Sequence, residues 1–80
     1  MNHALVEVTW HDAHAVSGAA WMEIEEIEKD DPCVVSSVGW LLADTKRGHV
    51  VIAQSHNSEG FFDHIIAIPT PMVVTTRIIS

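Results

Sequence analysis

The chain has 80 residues, enough for one domain at most and near the lower limit for an independent hydrophobic core. Its formal net charge is −7, and Lys29, Lys46, Arg47 and Arg77 are its only fixed cations. So few and so scattered cations argue against binding a nucleic-acid polymer, which needs several Lys or Arg against phosphates, and against an anionic membrane surface.

A hydrophobic fraction of 48%, drawn largely from Val, Ile and Ala, argues against disorder. It is generous for so short a chain, and part of it is expected to be buried between subunits of a homo-oligomer. Cys33 is the single cysteine, so neither an intrachain disulfide nor a Cys-based zinc site can form within one chain. It is expected as a buried, inert thiol at the start of a strand. No run approaches the roughly 18 apolar residues of a membrane span. The opening MNHALVEVTW lacks the basic segment and apolar core of a signal peptide. These features point to a reducing cytoplasm.

His3 to Trp10 alternates, with Leu5, Glu7 and Thr9 on one side and Ala4, Val6, Val8 and Trp10 on the other. Period two predicts a half-buried first strand. Positions 11 to 19 (HDAHAVSGA) read as a loop. A helix is predicted at about 19–29, where Trp21, Ile24 and Ile27 form an apolar stripe among Glu23, Glu25, Glu26 and Glu28. Asp30-Asp31-Pro32 ends it, because the residue before proline is pushed out of the α region.

The clearest signal is a β-hairpin from Cys33 to His56. Its first strand, about Cys33 to Asp44, is apolar on both faces, as expected of a strand covered on both sides. Gly39 within it marks a bulge, a bend or a close backbone approach. The turn is Asp44 to Gly48, and the third strand runs from Gly48 to Ser55. His56 to Phe62 is a loop and Asp63 to Ile68 a short strand. Pro69-Thr70-Pro71 breaks the pattern before a last strand from Met72 to Ile79. The order β-α-β-β-β-β predicts an all-β domain with one helix, spanning 1–80. Its architecture is a small, partly open barrel of the SH3-like or Sm-like type, closed by the bent hairpin.

Several short patterns lie along the chain: V-x-V-x-W-x-D (Val6, Val8, Trp10, Asp12), the Trp21 helix opening and V-x-S-V-G-W-L (Val35 to Leu41). V-V-I-A-Q-S (Val50 to Ser55) and I-P-x-x-x-V (Ile68, Pro69, Val73) follow. Together they resemble a family of small, uncharacterised proteins encoded by tailed bacteriophages and prophages. The resemblance implies a phage accessory protein with a small barrel fold, working in the host bacterial cytoplasm. It brings no established activity and no established site residues. The His-rich HDAH and the Pro69-Thr70-Pro71 break depart from the pattern.

His11-Asp12-x-His14 has ligand-type side chains, but its spacing matches no recognised metal motif, so it reads as a polar loop and no metal is assigned. Asp12, Glu59 and Asp63 are carboxylates with nothing to fix their separation. No Gly-rich phosphate loop and no serine on a strand-to-helix elbow is present, and no catalytic residue or cofactor is assigned. Trp40 beside Gly39 is the best stacking residue, because glycine lets another ring approach. Arg77, Lys46 and Arg47 are the cations available to a small anion. The leading expectation is a non-enzymatic binding module that sequesters a small nucleotide-type signal ligand between subunits, as a counter-defence protein. Gly39, Trp40, Lys46, Arg47 and Arg77 would form the site. A second is an inhibitor or adaptor that binds a host protein through Glu25, Glu26 and Glu28. A third is a minor virion or assembly protein.

Overall fold

Alternation of apolar and polar side chains makes strands of this chain, and the turns between them decide how the strands meet. The computed structural model describes residues 3–12, 21, 23–25 and 33–80. Among these, the elements are five strands and a 3-10 turn: β1 (Leu5–Asp12), β2 (Cys33–Leu41), β3 (His49–His56), β4 (Phe62–Pro69), the turn Thr70–Met72, and β5 (Val73–Ile78). All pairings are antiparallel, in one sheet of order β4-β3-β2-β1-β5.

The all-β reading stands, while the partly open barrel is not seen: the strands form one open sheet. Among the described residues β4 and β5 are the two edges of the sheet, because the 3-10 turn carries the chain from one side of the sheet to the other without pairing them. The helix expected at about 19–29 lies largely outside the described residues, including Glu26 and Glu28. Of its stripe, Trp21 is 103% and Ile24 73% exposed, and Glu25 is exposed too. The docked stripe is therefore not seen at Trp21 and Ile24, since the inner face of the sheet is filled by its own strands.

β1 is the best-buried strand. Val6 and Val8 are fully buried and Trp10 nearly so, while Leu5, Glu7 and Thr9 are half-exposed. Val6, Val8 and Trp10 share a core with Ile52 of β3 and Ile68 of β4, although β2 lies between β1 and β3 in the sheet. This contact requires the sheet to fold over on itself, so that a β5-β1-β2 half and a β3-β4 half face each other. Each fully buried aliphatic side chain contributes roughly 1.5–3 kcal/mol. A smaller cluster, Leu42, Val51 and Ala53 with Phe62 against it, forms a second core.

Gly39 is the hinge of the fold-over. A Cβ built there would lie 2.8 Å from the Ala53 carbonyl oxygen and 3.2 Å from the Ile52 Cβ. That is the close backbone approach expected of a glycine inside a strand. β2 pairs with β1 from Cys33 to Trp40, but with β3 only at Trp40↔Ala53 and Leu41↔Ile52. Before Gly39 the two strands part.

Two sequence expectations for β2 change as a result. The strand is not covered on both sides: Val34 and Val38 are exposed. It also stops at Leu41, because Asp44 (φ 56°) and Gly48 (φ 74°) take left-handed conformations and Thr45 Oγ1 donates to Leu42 O at 2.8 Å. Cys33 is exposed, not buried, because it pairs with Asp12 at the frayed end of the β1–β2 ladder.

Candidate functional site

Where β2 leaves β3, the two half-sheets open into a cleft of about 610 Å³. β2 supplies one wall through Ser36, Ser37 and Val38. β3 supplies Ile52 and Gln54, and β4 supplies His64, Ile65 and Ile66. The volume falls in the range of small-molecule sites, and the lining has their composition: apolar surface with a few convergent polar groups.

Local sequence places each polar group. Ser36 and Ser37 are adjacent in a strand, so their side chains point to opposite faces, Ser37 toward Trp10 and Ser36 toward Glu7. Ser37 Oγ accepts a 3.0 Å hydrogen bond from Trp10 Nε1, which anchors this wall to the core. His64 has φ 53°, a left-handed conformation in the middle of a strand. Such backbone costs an L-residue roughly 1–2 kcal/mol and persists where its surroundings hold it. Asp63 does the holding. Its Oδ1 accepts from the His64 amide at 2.8 Å, and its Oδ2 lies 3.3 Å from His64 Nδ1. The other ring nitrogen is left for a ligand, able to donate or accept according to tautomer.

A row of rings runs along the molecule: Trp40 edge-on to His56 (centroids 5.0 Å), His56 tilted to Phe62 (6.2 Å), and Phe62 edge-on to His3 (5.2 Å). His3 Nδ1 lies 2.9 Å from Leu41 O. At the neighbouring loop, Asn57 Oδ1 accepts from the Glu59 and Phe61 amides at 3.0 Å each, and Gly60 turns with φ 87°. The concavities of this loop, about 250 and 370 Å³, are smaller than the cleft.

The five residues expected to form one site are not brought together in a single chain. Gly39 sits at the root of the cleft. Trp40 faces the opposite side of the sheet, where it is half-buried against His56. Lys46 and Arg47 lie exposed on the β2–β3 turn, at the end away from the cleft. Arg77 is on β5 directly opposite Glu7, and both its Nε (3.2 Å) and Nη2 (2.9 Å) donate to Glu7 Oε1. These bonds, with one from Ser36, hold the Glu7 carboxyl below the usual carboxylate range. Arg77 is thus engaged by its own chain.

Among the described residues no group of three or more His, Cys, Asp or Glu could hold a metal ion, and no helix is long and apolar enough to cross a membrane. No protein-family model, no curated protein and no solved structure matches the chain.

Sequence reasoning missed Gln54 and His64. Gln54 carried a signal, as a polar residue closing the apolar run Val50 to Ala53. The Ser36-Ser37 pair inside an apolar strand was another. His64 carried almost none, because left-handed backbone at a single histidine follows from the meeting of β4 with the fold-over.

Proposed function

We propose that the protein is a non-enzymatic binding module that sequesters a small nucleotide-type ligand, gripping its nucleoside portion in the cleft between β2 and β3–β4. The observation that carries this is the parting of β2 from β3 at Gly39, which opens about 610 Å³ lined by both apolar and neutral hydrogen-bonding groups. A planar heterocycle would lie against Val38, Ile65 and Ile66. Ser37, Gln54 and His64 would meet its edge.

Each copy carries its own cleft in this reading, in place of a site shared between subunits. The cleft lining contains no Lys or Arg, so the grip is on the ring and sugar, and any phosphate projects to solvent. Binding without turnover fits the state of Ser37, whose hydroxyl is engaged by the Trp10 indole rather than by a base. The folded-over sheet supports kinship with small SH3-like or Sm-like barrels. With the phage-like sequence pattern, it supports a counter-defence role for a sequestering protein.

Isothermal calorimetry with nucleosides, cyclic nucleotides and ADP-ribose-type nucleotides tests the proposal. Heat of binding that disappears in Gln54→Leu and His64→Ala, both still folded by circular dichroism, is the expected result. Absence of heat with every member of the panel would sink it.

A further inference from the structure

One ring nitrogen of the cleft has its role set before any ligand arrives. Asp63 holds His64 at two points: Oδ1 accepts from its amide at 2.8 Å, and Oδ2 lies 3.3 Å from Nδ1. The left-handed backbone of His64 (φ 53°) belongs to the same arrangement, so the ring is placed by the chain itself. An ionised carboxylate has only acceptor sites, so the neutral imidazole keeps its proton on Nδ1. Nε2 then carries a bare lone pair. The side chain is exposed, which leaves that lone pair open to a molecule in the cleft.

The other lining groups complete the pattern. Ser37 Oγ already accepts from Trp10 Nε1 and keeps its own hydrogen to donate. Ser36 spends its hydroxyl on Glu7. Gln54 has both a donor and an acceptor in its amide and adapts to either need. The fixed polar features are therefore an acceptor on the β4 wall and a donor on the β2 wall, among apolar side chains.

We infer that His64 Nε2 is the specificity-determining acceptor of the cleft, taking a hydrogen from a ring N–H or amino group of the ligand and releasing it when the imidazole is protonated. On the reading of the cleft as a ligand site, this names the edge of the ligand that the protein reads. A ring without an N–H leaves Nε2 unpaired against it, which costs binding. Protonation places a hydrogen on Nε2, so that two donors face each other. Asp63 is the charged group set against the ring, and the residues of β2 and β3 that line the cleft carry no titratable side chain. The response therefore belongs to one histidine, a side chain that changes charge between about pH 5 and 8. The cleft holds its ligand at neutral pH and lets it go in mild acid.

Calorimetry of the full chain compares adenosine with purine riboside, which lacks the amino group and has no N–H on its ring. Near pH 8 adenosine should bind roughly tenfold more tightly, the factor that one hydrogen bond carries. Its affinity should fall roughly tenfold per pH unit below the midpoint of a single titrating group, a fall that purine riboside does not follow. Asp63→Asn keeps an oxygen for the His64 amide and removes the charge that fixes the tautomer, so it should narrow the preference for adenosine. Nitrogen-15 spectra of the free protein read the tautomer without any ligand: hydrogen on Nδ1 in the wild type, a mixture in Asp63→Asn. Equal affinity for the two nucleosides, adenosine affinity that is flat with pH, or hydrogen on Nε2 in the free protein would overturn the inference and leave the cleft as a ligand site. Failure of both nucleosides to bind would overturn it too, and the wider nucleotide panel would then decide the fate of the cleft reading.

Discussion

The two halves of β2 share a strand and a partner, β1, and differ in everything else. From Gly39 to Leu41 the strand is locked: β1 pairs on one side, β3 on the other, and the Ala53 carbonyl sits where a Cβ would be. From Cys33 to Val38 it pairs only with β1, exposes Val34 and Val38, and forms a wall of the cleft. The difference teaches that a cleft in so small a domain comes from a change of strand pairing along one strand rather than from an added loop.

The largest effect expected is at the residue that joins the two halves. Ile52 is buried in the core and also forms the floor of the cleft. Ile52→Ala should destabilise by about 2–5 kcal/mol, read as a lower urea midpoint, by loss of buried methylenes and the cavity left behind. A loss well under 1 kcal/mol would mean that the halves do not share a core.

Gly39→Ala attacks the lock directly. The added methyl meets backbone rather than a flexible side-chain end, so β3 must move away. The expected cost is roughly 1–3 kcal/mol. Hydrogen exchange should quicken at the Leu42 amide, which donates to Val51 O at 2.9 Å. Unchanged exchange there would separate the glycine from the fold-over.

His64→Gly tests the open half, and here the signs oppose. Glycine relieves left-handed backbone at a cost in chain entropy, for a net stabilisation of about 0.5–1 kcal/mol. Ligand heat should fall in the same variant. A protein that becomes more stable and keeps full binding would leave His64 without a role in the cleft.

The smallest effect belongs to the pair on the outer face. Glu7 is held ionised by Arg77 and Ser36, so its folded pKa lies below its unfolded one. The stabilisation is complete above the ordinary carboxylate range, near pH 4.3, and is lost as pH falls through the depressed folded value. The difference in stability between wild type and Glu7→Gln should shrink as the pH drops into that acid range. A gap independent of pH would assign the pair no electrostatic part.

Legibility from sequence followed the range of the interactions. β1 was readable residue by residue, because Val6, Val8 and Trp10 alternate with polar neighbours and alternation is a local property. The hairpin was readable from its turn, and the approach at Gly39 from the cost of glycine in a strand. The end of β2 was not, since Leu42 and Ala43 continue the apolar pattern while Asp44 and Thr45 already turn the chain. The stripe of Trp21 and Ile24 looked like a docking face because amphipathic spacing says which side is apolar and nothing about whether a surface remains to receive it. The site was the least legible part. Trp40, Arg77, Lys46 and Arg47 were chosen for their chemistry, but they occupy the far face, an ion pair and the distant turn.

Composition and period alone determined that this chain is small and acidic and that five stretches of it alternate as strands. Only the tertiary structure decided that the sheet folds over at Gly39, that β4 and β5 stay apart, and that Ser37, Gln54 and His64 face one cleft. The reason is physical. Side-chain alternation is set between neighbours along one strand, whereas the parting of β2 from β3 depends on where a backbone carbonyl crosses a glycine fourteen positions away in the chain.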